Sequence, residues 1–473
     1  MSDEDADRDD STSEEGSECD DPLDDRIQDV IETVRDRVDP DEDERAHLEG
    51  VADRLLERAE RAATERCPDA DVLQAGSSAR GTWISGDRDI DVFVRFPPEL
   101  DRETLETYGL EVGHETLPDG HEEYAEHPYV KGKLEGFDVD VVPCFRLESA
   151  TEIRSAVDRT PFHTQYLREQ LDDELAADVR VTKGFLKGIG VYGSDLRTRG
   201  FSGYLTELLV CEYGGFRPFL EAVCDWHPPV SLDPEGHGQA RFTDPLVVID
   251  PTDPERNVAA VCSAENVARL QHYARAFLEE PDLELFETDE PKPLTESELR
   301  RHLERRDTTP VAVRFDAPDV VEDQLYPQLR KSLDGITRGL DDRGFDVLRA
   351  TAFADGSCVV FTELAVDRRP AIERHEGPPV HVSDHARGFY DAYDDDPDAY
   401  GPFLDGGRYA TERNREFTTA RAFLESDQLF DVGLGVHVET ALEDGYEVLL
   451  GEDVLTLLPE FGRELRSYFE PTP

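Results

Sequence analysis

The chain has 473 residues, and 50 lysines and arginines against 109 aspartates and glutamates give it a formal net charge of −59. Hydrophobic residues make up 38% of the chain, which is enough to build cores, so the acidic excess does not indicate a disordered protein. Seven cysteines without a C-x-x-C pair argue against zinc sites and disulfide frameworks, and no apolar run is long enough to span a membrane.

The first segment, residues 1–25, is rich in aspartate, glutamate and serine and is predicted to be a disordered tail. Apolar residues at helical spacing then predict helices over residues 23–37 and from about residue 39 to 65. We interpret the charge as adaptation to molar salt, as in proteins of halophilic archaea, and not as a sign of basic partners. We expect a cytoplasmic protein that does not contact a membrane.

Residues 71–96 are predicted to form a strand, a turn, a short helix, a second turn and another strand. Residues i and i+2 of a strand point to the same face, so Asp89 and Asp91 are expected side by side, with Ile90 and Val92 on the opposite face. Two carboxylates held so close repel each other unless a cation lies between them. Mg²⁺ takes oxygen ligands and leaves positions for phosphate, so the pair predicts a magnesium site.

A phosphate site is predicted beside this carboxylate pair. Gly76 allows the backbone to approach a ligand, and the N–H groups that open the predicted short helix favour an anion. Ser77 adds a hydroxyl and Arg80 a guanidinium. A lone Asp-x-Asp is common on edge strands, but together with Gly-Ser and the arginine it resembles the nucleotidyltransferase signature of the DNA polymerase β superfamily.

A second alternating strand, residues 136–144, carries Asp138 and Asp140 on one face. The pattern leaves two interpretations open. The strand can be an edge strand with a solvent side, or one of the two carboxylates can complete a three-carboxylate cage with Asp89 and Asp91. Two Mg²⁺ ions in such a cage would lower the pKa of an attacking hydroxyl and neutralise a leaving pyrophosphate.

The succession of motifs resembles the archaeal, class I CCA-adding enzymes, tRNA nucleotidyltransferases that build and repair the 3′-terminal CCA. The resemblance begins at about residue 25 and is carried by segments 76–83, 89–91, 127–130, 140–144, 158–164, 183–193, 199–204 and 250–258. It implies that Asp140, and not Asp138, is the third metal ligand beside Asp89 and Asp91. It also implies Mg²⁺ as cofactor, CTP, ATP and the tRNA 3′ end as partners, and a homodimer.

The central region, from about residue 156 to 285, is predicted to be helical. It places Lys183 and Lys187 one helical turn apart, which indicates either a solvated face or triphosphate contacts. The resemblance favours Lys183 and Tyr192 as triphosphate contacts, and it makes His163 a nucleotide-binding residue. Arg256 could read base edges with its planar fork of donors, or it could form a buried ion pair.

The C-terminal region changes character from about residue 286. Predicted strands over 309–315, 347–353 and 358–364, with a helix over 326–343, indicate an RRM-like α+β unit without the aromatic RNP motif. An arginine cluster follows, formed by Arg408, Arg413, Arg415 and Arg421. These arginines are candidates for phosphate contacts on the acceptor and TΨC arm of tRNA, and ion pairs with neighbouring glutamates are the alternative.

The predicted fold class is therefore α+β. A polymerase β-like nucleotidyltransferase head is expected over residues 26–155, a central helical nucleotide- and tRNA-binding domain over 156–285, and a C-terminal tRNA-binding body and tail over 286–473. The expected reaction is template-independent transfer of CMP, CMP and AMP from CTP and ATP to the tRNA 3′ end, with release of pyrophosphate. A poly(A)-polymerase-like transferase and a non-catalytic RNA-binding module of the same fold are the alternatives.

Overall fold

The computed structural model describes residues 22–124, 126–288 and 290–473. Of the predicted acidic tail, residues 1–21 lie outside the described part of the chain, and residues 22–25 begin a helix. The described chain forms two compact units that divide after residue 288, close to the predicted boundary between residues 285 and 286. The division of the first unit into a head and a central domain stays a prediction.

Groups of helices and groups of strands alternate along the first unit. Its helices are α1 (Pro22–Val38), α2 (Glu42–Arg66), α3 (Arg102–Thr116), α4 (Thr160–Gln170), α5 (Asp173–Gly188), α6 (Gly203–Tyr213), α7 (Phe216–Cys224) and α8 (Ala264–Glu279). Its strands are β1 (Asp71–Ala75), β2 (Asp89–Phe96), β3 (His121–Tyr124), β4 (Pro128–Leu134), β5 (Phe137–Phe145), β6 (Val230–Leu232), β7 (Leu246–Asp250) and β8 (Asp253–Asn257). Short 3₁₀ turns span Ala150–Glu152, Ala156–Arg159 and Leu283–Phe286.

The head is built on a sheet of order β1-β2-β5-β4-β3, in which β2 and β5 are parallel and the other pairs antiparallel. One face of this sheet packs on α2 and α3, and Leu55, Val92 and Val141 lie in the resulting core. A capping box of Asp41 and Glu44 fixes the start of α2. Because side chains alternate along a strand, Asp89 and Asp91 project from the face opposite to these helices.

Two details of the head differ from the sequence prediction. The sequence pattern of residues 110–115 predicts a strand, but they lie in α3, where Asp101 caps the first turn and Leu105 and Val112 are buried at helical spacing. The helix α1 was placed with the head from residue 26 onward. In the structure its buried residues Ile27, Ile31 and Val34 belong to the helical core instead.

The central part is a helical core between α1, α4, α5, α6, α7 and α8, centred on Phe185, Phe216 and Phe277. Strands β6, β7 and β8 form a small sheet beside it. Ser202 caps α6, since its hydroxyl accepts from the N–H of Leu205 at 3.1 Å. This cap fixes where α6 begins.

The second unit contains two sheets and several helices. Its helices are α9 (Glu296–Arg306), α10 (Glu322–Asp342), α11 (Ser383–Tyr393), α12 (Ala420–Leu424), α13 (Val436–Asp444) and α14 (Leu458–Phe469). Its strands are β9 (Thr309–Asp316), β10 (Val347–Ala354), β11 (Ser357–Leu364), β12 (Ile372–Pro379), β13 (Ala399–Asp405), β14 (Arg408–Asn414) and β15 (Tyr446–Leu450). Short 3₁₀ turns span Asp427–Leu429 and Gly451–Leu457.

The larger sheet of this unit has the order β10-β11-β9-β15, with β11 between β9 and β10. This is the split β-α-β arrangement expected for an RRM-like unit, with α10 and α13 as its two helices. Both faces of the sheet are covered: Val313 packs in the core beneath α10, and its neighbour Ala312 packs in the core formed with α9 and α14. Bases therefore do not have an open sheet face on which to stack, which agrees with the absence of the aromatic motif.

Candidate active site

Three carboxylates meet on one face of the head sheet. Asp91 on β2 is the register partner of Asp140 on the parallel strand β5, and Asp89 is the partner of Asp138. Register partners on adjacent strands point to the same face, so Asp91 lies between Asp89, two residues earlier, and Asp140 on the neighbouring strand.

The electrostatics of these groups reflect their crowding. Burial raises the pKa of Asp91 to about 6, and the nearby charges of Asp140 and Asp89 act in the same direction. Burial also raises the pKa values of Asp89 and Asp140, with Asp87 adding to the shift at Asp89 and Lys131 opposing it at Asp140. Three ionised carboxylates here repel one another, and a bound cation would relieve that repulsion.

Two features of the site suit a metal ion held by oxygen atoms. Gly76 has φ of +71°, and a Cβ at this position would overlap Asp91 Oδ2, so glycine makes room for the carboxylate. Asp140 Oδ1 is buried and makes no hydrogen bond among the described residues; Lys131 Nζ approaches it at 3.5 Å. No three His, Cys, Asp or Glu side chains among residues 22–124, 126–288 and 290–473 are arranged so that they could hold a metal ion as they stand.

Two lysines on β4 lie opposite Asp138 and Asp140, one beside each carboxylate. Lys131 pairs with Asp140 and Lys133 with Asp138, because these residues face each other in the antiparallel register. Lys133 Nζ lies 3.0 Å from Asp138 Oδ1, at the exposed edge of the site. Each carboxylate therefore has a lysine beside it, and they differ in two respects: Asp138 is the register partner of Asp89 and is 39% exposed, whereas Asp140 is the partner of Asp91 and is 26% exposed.

The segment after Gly76 differs from its prediction. Residues 76–81 form successive turns and not a short helix, so the expected helix N-terminus is not present in this part of the chain. The turns are held by α5: the Arg180 guanidinium donates to the Gly81 carbonyl, and Lys183 Nζ donates to the Thr82 carbonyl at 2.7 Å. Ser77 sits in the first turn, where its carbonyl accepts from the backbone N–H of Arg80 at 3.2 Å.

A buried glutamate that the sequence analysis missed organises this region. Glu207 on α6 is fully buried; Arg80 donates to it at 2.8 and 3.2 Å, and the Thr82 hydroxyl donates to it as well. Lys183 Nζ lies 3.9 Å away. Burial opposes ionisation of Glu207, but Arg80 and Lys183 outweigh it and lower its pKa. A single acidic residue inside the apolar run of α6 was the signal that could have revealed it.

Arg80 and Lys183, both predicted to bind nucleotide, are enclosed by this network. The side chains of Arg80 and Lys183 are only 7% and 3% exposed. Burial lowers the pKa of Lys183 to about 8, with Glu207 opposing the shift. Burial also affects Tyr192 and raises the pKa of its hydroxyl, which lies close to Gly203 at the start of α6. Lys187 is more open, 3.4 Å from Asp87.

A second buried carboxylate, Asp250 at the end of β7, gathers the remaining predicted nucleotide-binding residues. His163 Nε2 lies 2.9 Å from Asp250 Oδ2, and Arg256 Nη1 donates to the same oxygen at 2.7 Å. The His163 ring stacks on Tyr204 with centroids 3.9 Å apart, and the Tyr204 hydroxyl donates to Asp250 Oδ1 at 3.2 Å. Burial lowers the pKa of His163 and Asp250 opposes that shift, while the contacts with Asp250 and Tyr204 orient the ring. Arg256 thus forms the ion pair considered as an alternative, although its side chain stays 33% exposed.

Comparisons with known proteins follow this architecture along the chain. Residues 56–163 match the nucleotidyltransferase domain family, residues 177–287 the second domain of tRNA nucleotidyltransferases, and residues 306–451 the C-terminal domain of CCA-adding enzymes. The CCA-adding enzyme of Haloarcula marismortui is 61% identical over 94% of this chain and 98% of its own length. The CCA-adding enzyme of Methanosarcina acetivorans is 39% identical over 92% of this chain and 97% of its own.

The chain belongs to the CCA-adding enzyme family. The resemblance inferred from the motifs and the α+β fold class are both confirmed, and the match extends through all three regions of this CCA-adding enzyme homologue. No helix in the described residues is long and apolar enough to cross a membrane.

The C-terminal arginines of this CCA-adding enzyme homologue are mostly paired. Arg413 and Arg415 lie 2.9 and 3.3 Å from Glu373, and Arg421 lies 3.0 Å from Glu425. Arg408 donates to the Gly377 carbonyl at 3.1 Å. The structure therefore contains the glutamate pairs considered as the alternative, and an RNA-binding role for the four arginines stays a prediction.

Asp138 and Asp140 can be separated by substitution. We expect Asp140→Ala to lower kcat of nucleotide addition about a hundredfold, because it removes the carboxylate that faces Asp91 in the half-buried part of the site. Asp138→Ala should keep most of its turnover, since the Asp138 side chain is more exposed than that of Asp140 and is not the register partner of Asp91. Single-turnover incorporation of CMP with saturating tRNA measures both. A larger loss in Asp138→Ala than in Asp140→Ala would contradict this assignment.

The buried lysine predicts a pH dependence. If the charge of Lys183 attracts the triphosphate, KM for CTP should be flat below pH 8 and rise about tenfold per pH unit above it, as one proton is lost. Unfolding does not explain such a rise, because a lysine whose pKa is lowered from 10.5 to about 8 adds stability as pH increases through that window. Steady-state KM between pH 7 and 9.5, with circular dichroism alongside, is the measurement. A flat profile would exclude Lys183 from triphosphate binding.

Proposed function

We propose that this chain completes and repairs the 3′-terminal CCA of tRNA, transferring CMP, CMP and AMP from CTP and ATP with release of pyrophosphate. The observation that carries the proposal is family membership over 94% of the chain, including the C-terminal domain specific to CCA-adding enzymes. The head matches nucleotidyltransferases in general, so it does not identify the substrate. The matches of the second and third regions support CCA addition to tRNA over the other reactions of this class.

We assign Asp89, Asp91 and Asp140 as the carboxylates that hold Mg²⁺. The raised pKa of Asp91 and the unbonded Asp140 Oδ1 support this assignment, since both are features of a site suited to an added cation. Bound Mg²⁺ supplies charge neutralisation for the phosphates and lowers the pKa of the attacking 3′-hydroxyl. The sheet contributes position, because adjacent strands fix Asp91 and Asp140 in register.

The turns of residues 76–81 are assigned to the triphosphate. Ser77 offers a hydroxyl there, and Arg80 and Lys183 lie behind the turns. Two cations against the single carboxylate of Glu207 leave one net positive charge in a buried place, where it acts more strongly on a phosphate than it would in water. Direct contact by either cation would require it to leave Glu207.

His163 and Arg256 are assigned to the ribose and base of the bound nucleotide, and Tyr192 is assigned with Lys183 to the triphosphate. His163 and Arg256 are fixed by one buried carboxylate, Asp250, so their donors and acceptors keep a defined direction. Fixed hydrogen-bonding groups are what discrimination between cytosine and adenine needs, because a base with the wrong edge leaves them unpaired.

Incubation of tRNA transcripts that lack CCA with radiolabelled CTP and ATP tests the proposal. We expect two C residues followed by one A, and no further extension. A ladder of A residues from ATP alone would instead indicate a poly(A)-polymerase-like transferase. RNA binding without incorporation would indicate a non-catalytic module. Homodimer formation, which the family resemblance implies, can be checked on the same preparation by light scattering.

A further inference from the structure

A cavity of about 810 Å³ is lined in part by Arg256, whose guanidinium donates to Asp250. Its wall is formed by the 3₁₀ turn Ala150–Glu152, by β8 and by the loop that carries Phe242. A volume of this size is within the range of small-molecule sites and would hold a nucleotide unit. The site residues assigned above use only one of its side chains, Arg256.

Two arginines in the cavity wall are fixed by buried carboxylates. Arg159 Nη2 donates to Asp253 Oδ2 at 3.1 Å, and Arg256 Nη1 donates to Asp250 Oδ2 at 2.7 Å. Arg159 Nε is buried and has no hydrogen-bond partner among the described residues. In a chain with a net charge of −59, two anchored guanidiniums in one cavity favour a ligand that carries a phosphate.

The remaining wall combines polar side chains, among them Gln239, Asp253 and Glu255, with apolar ones. Phe242 offers a half-buried aromatic ring, and Ile153, Val258 and Val261 add aliphatic surface. An aromatic or aliphatic wall beside guanidinium groups matches the two parts of a nucleotide, because bases stack on flat or apolar side chains while arginine contacts the phosphate.

The cavity is separated from the cations assigned to the triphosphate. A series of contacts runs from Lys183 and Glu207 through Arg80, which donates to Thr164 at 3.3 Å. It continues from the neighbouring His163 through Asp250 to Arg256. The cavity adjoins Arg256 at the end of this series, and Arg256 is the one residue of its wall that is assigned above to the incoming nucleotide.

We propose that this cavity binds a nucleotide of the RNA acceptor strand, with Arg159 contacting its phosphate and Phe242 its base. The inference rests on the proposed function in that the ligand is part of the RNA substrate. Arg159 is a binding residue in this account and does not touch the reacting atoms.

The test compares Arg159→Ala, Arg159→Lys and the wild-type chain at one fixed KCl concentration. Fluorescence anisotropy measures the Kd for a labelled tRNA ending in CC, without nucleotide, and steady-state kinetics measure KM for ATP. We expect Arg159→Ala to raise the RNA Kd by about tenfold and to leave KM for ATP unchanged. Arg159→Lys should recover part of the affinity, because it keeps the charge and loses the fork.

Two further variants keep the test decisive. Arg66→Ala is the matched control, because Arg66 is similarly exposed and pairs with Glu111 and Glu115 far from the cavity; its RNA Kd should not change. Ala260→Trp narrows the cavity from an exposed position and should weaken RNA binding even if Arg159→Ala does not fold.

A rise in KM for ATP with an unchanged RNA Kd would overturn the inference, because the cavity would then serve the incoming nucleotide. Unchanged values for both quantities in folded Arg159→Ala and Ala260→Trp would also overturn it. The proposed function can fail separately. If the wild-type chain binds RNA through Arg159 but incorporates no CMP or AMP, that function falls and the cavity assignment stands.

Discussion

Asp91→Asn is expected to abolish the addition of both CMP and AMP, by about a thousandfold or more in kcat. Asp91 lies between Asp89 and Asp140, so it is the carboxylate best placed to share a cation with both neighbours. Asparagine keeps the shape of the side chain and removes its charge. Single-turnover incorporation from CTP and from ATP, with saturating tRNA, measures the loss.

The same substitution should leave the fold intact. Removing one of three mutually repelling carboxylates relieves repulsion in the chain without bound metal, so thermal unfolding of Asp91→Asn should not begin at a lower temperature. Affinity for tRNA should also be little changed. Loss of only CMP or only AMP addition would show that Asp91 selects the base and does not serve the chemistry common to both steps.

Glu207→Gln is expected to destabilise the first unit by about 3–5 kcal/mol, because it leaves Arg80 and Lys183 buried without their counter-charge. Urea unfolding in molar KCl, followed by circular dichroism, measures the change. The two units can unfold separately, so each transition must be assigned before a free energy is derived. A loss below about 1 kcal/mol would show that water or neighbouring groups already compensate these cations.

The second unit offers a matched control for this prediction. Glu363 is also buried, and Arg306 donates to it at 2.6 Å from two guanidinium nitrogens. Glu363→Gln should destabilise the second unit and leave KM for CTP unchanged, whereas Glu207→Gln should alter both the stability of the first unit and KM for CTP. An equal effect of the two substitutions on KM would contradict a specific role of Glu207 beside the nucleotide.

The parts of the site that depend on local periodicity could be predicted from sequence. A period of two places Asp89 beside Asp91 and Asp138 beside Asp140 without knowledge of the fold. That period cannot choose between Asp138 and Asp140, because both share a face. The parallel register of β2 with β5 distinguishes them, because it places Asp140 beside Asp91 and Asp138 beside Asp89, and this register is a product of strand pairing over long sequence distances.

The buried counter-charges could not be predicted in the same way. Arg80, Lys183 and Glu207 come from a turn and two helices, and nothing in the local pattern says that they meet. The short helix expected after Gly76 fails for a related reason. Contacts from Arg180 and Lys183 to backbone carbonyls hold that segment as turns, and such tertiary contacts override local preference.

The position of Glu207 in the chain also sets an order of events during translation. The head strands that carry Asp91 and Asp140 are complete by residue 145, and the chain grows by 67 residues from Asp140 to Glu207. At about 5–20 residues per second, a ribosome needs about 3–13 s to add them. During that interval the strands that carry Asp91 and Asp140 can pair, while Arg80 still lacks Glu207 as its partner. The turns beside the active site therefore reach their final arrangement only after α6 has been synthesised.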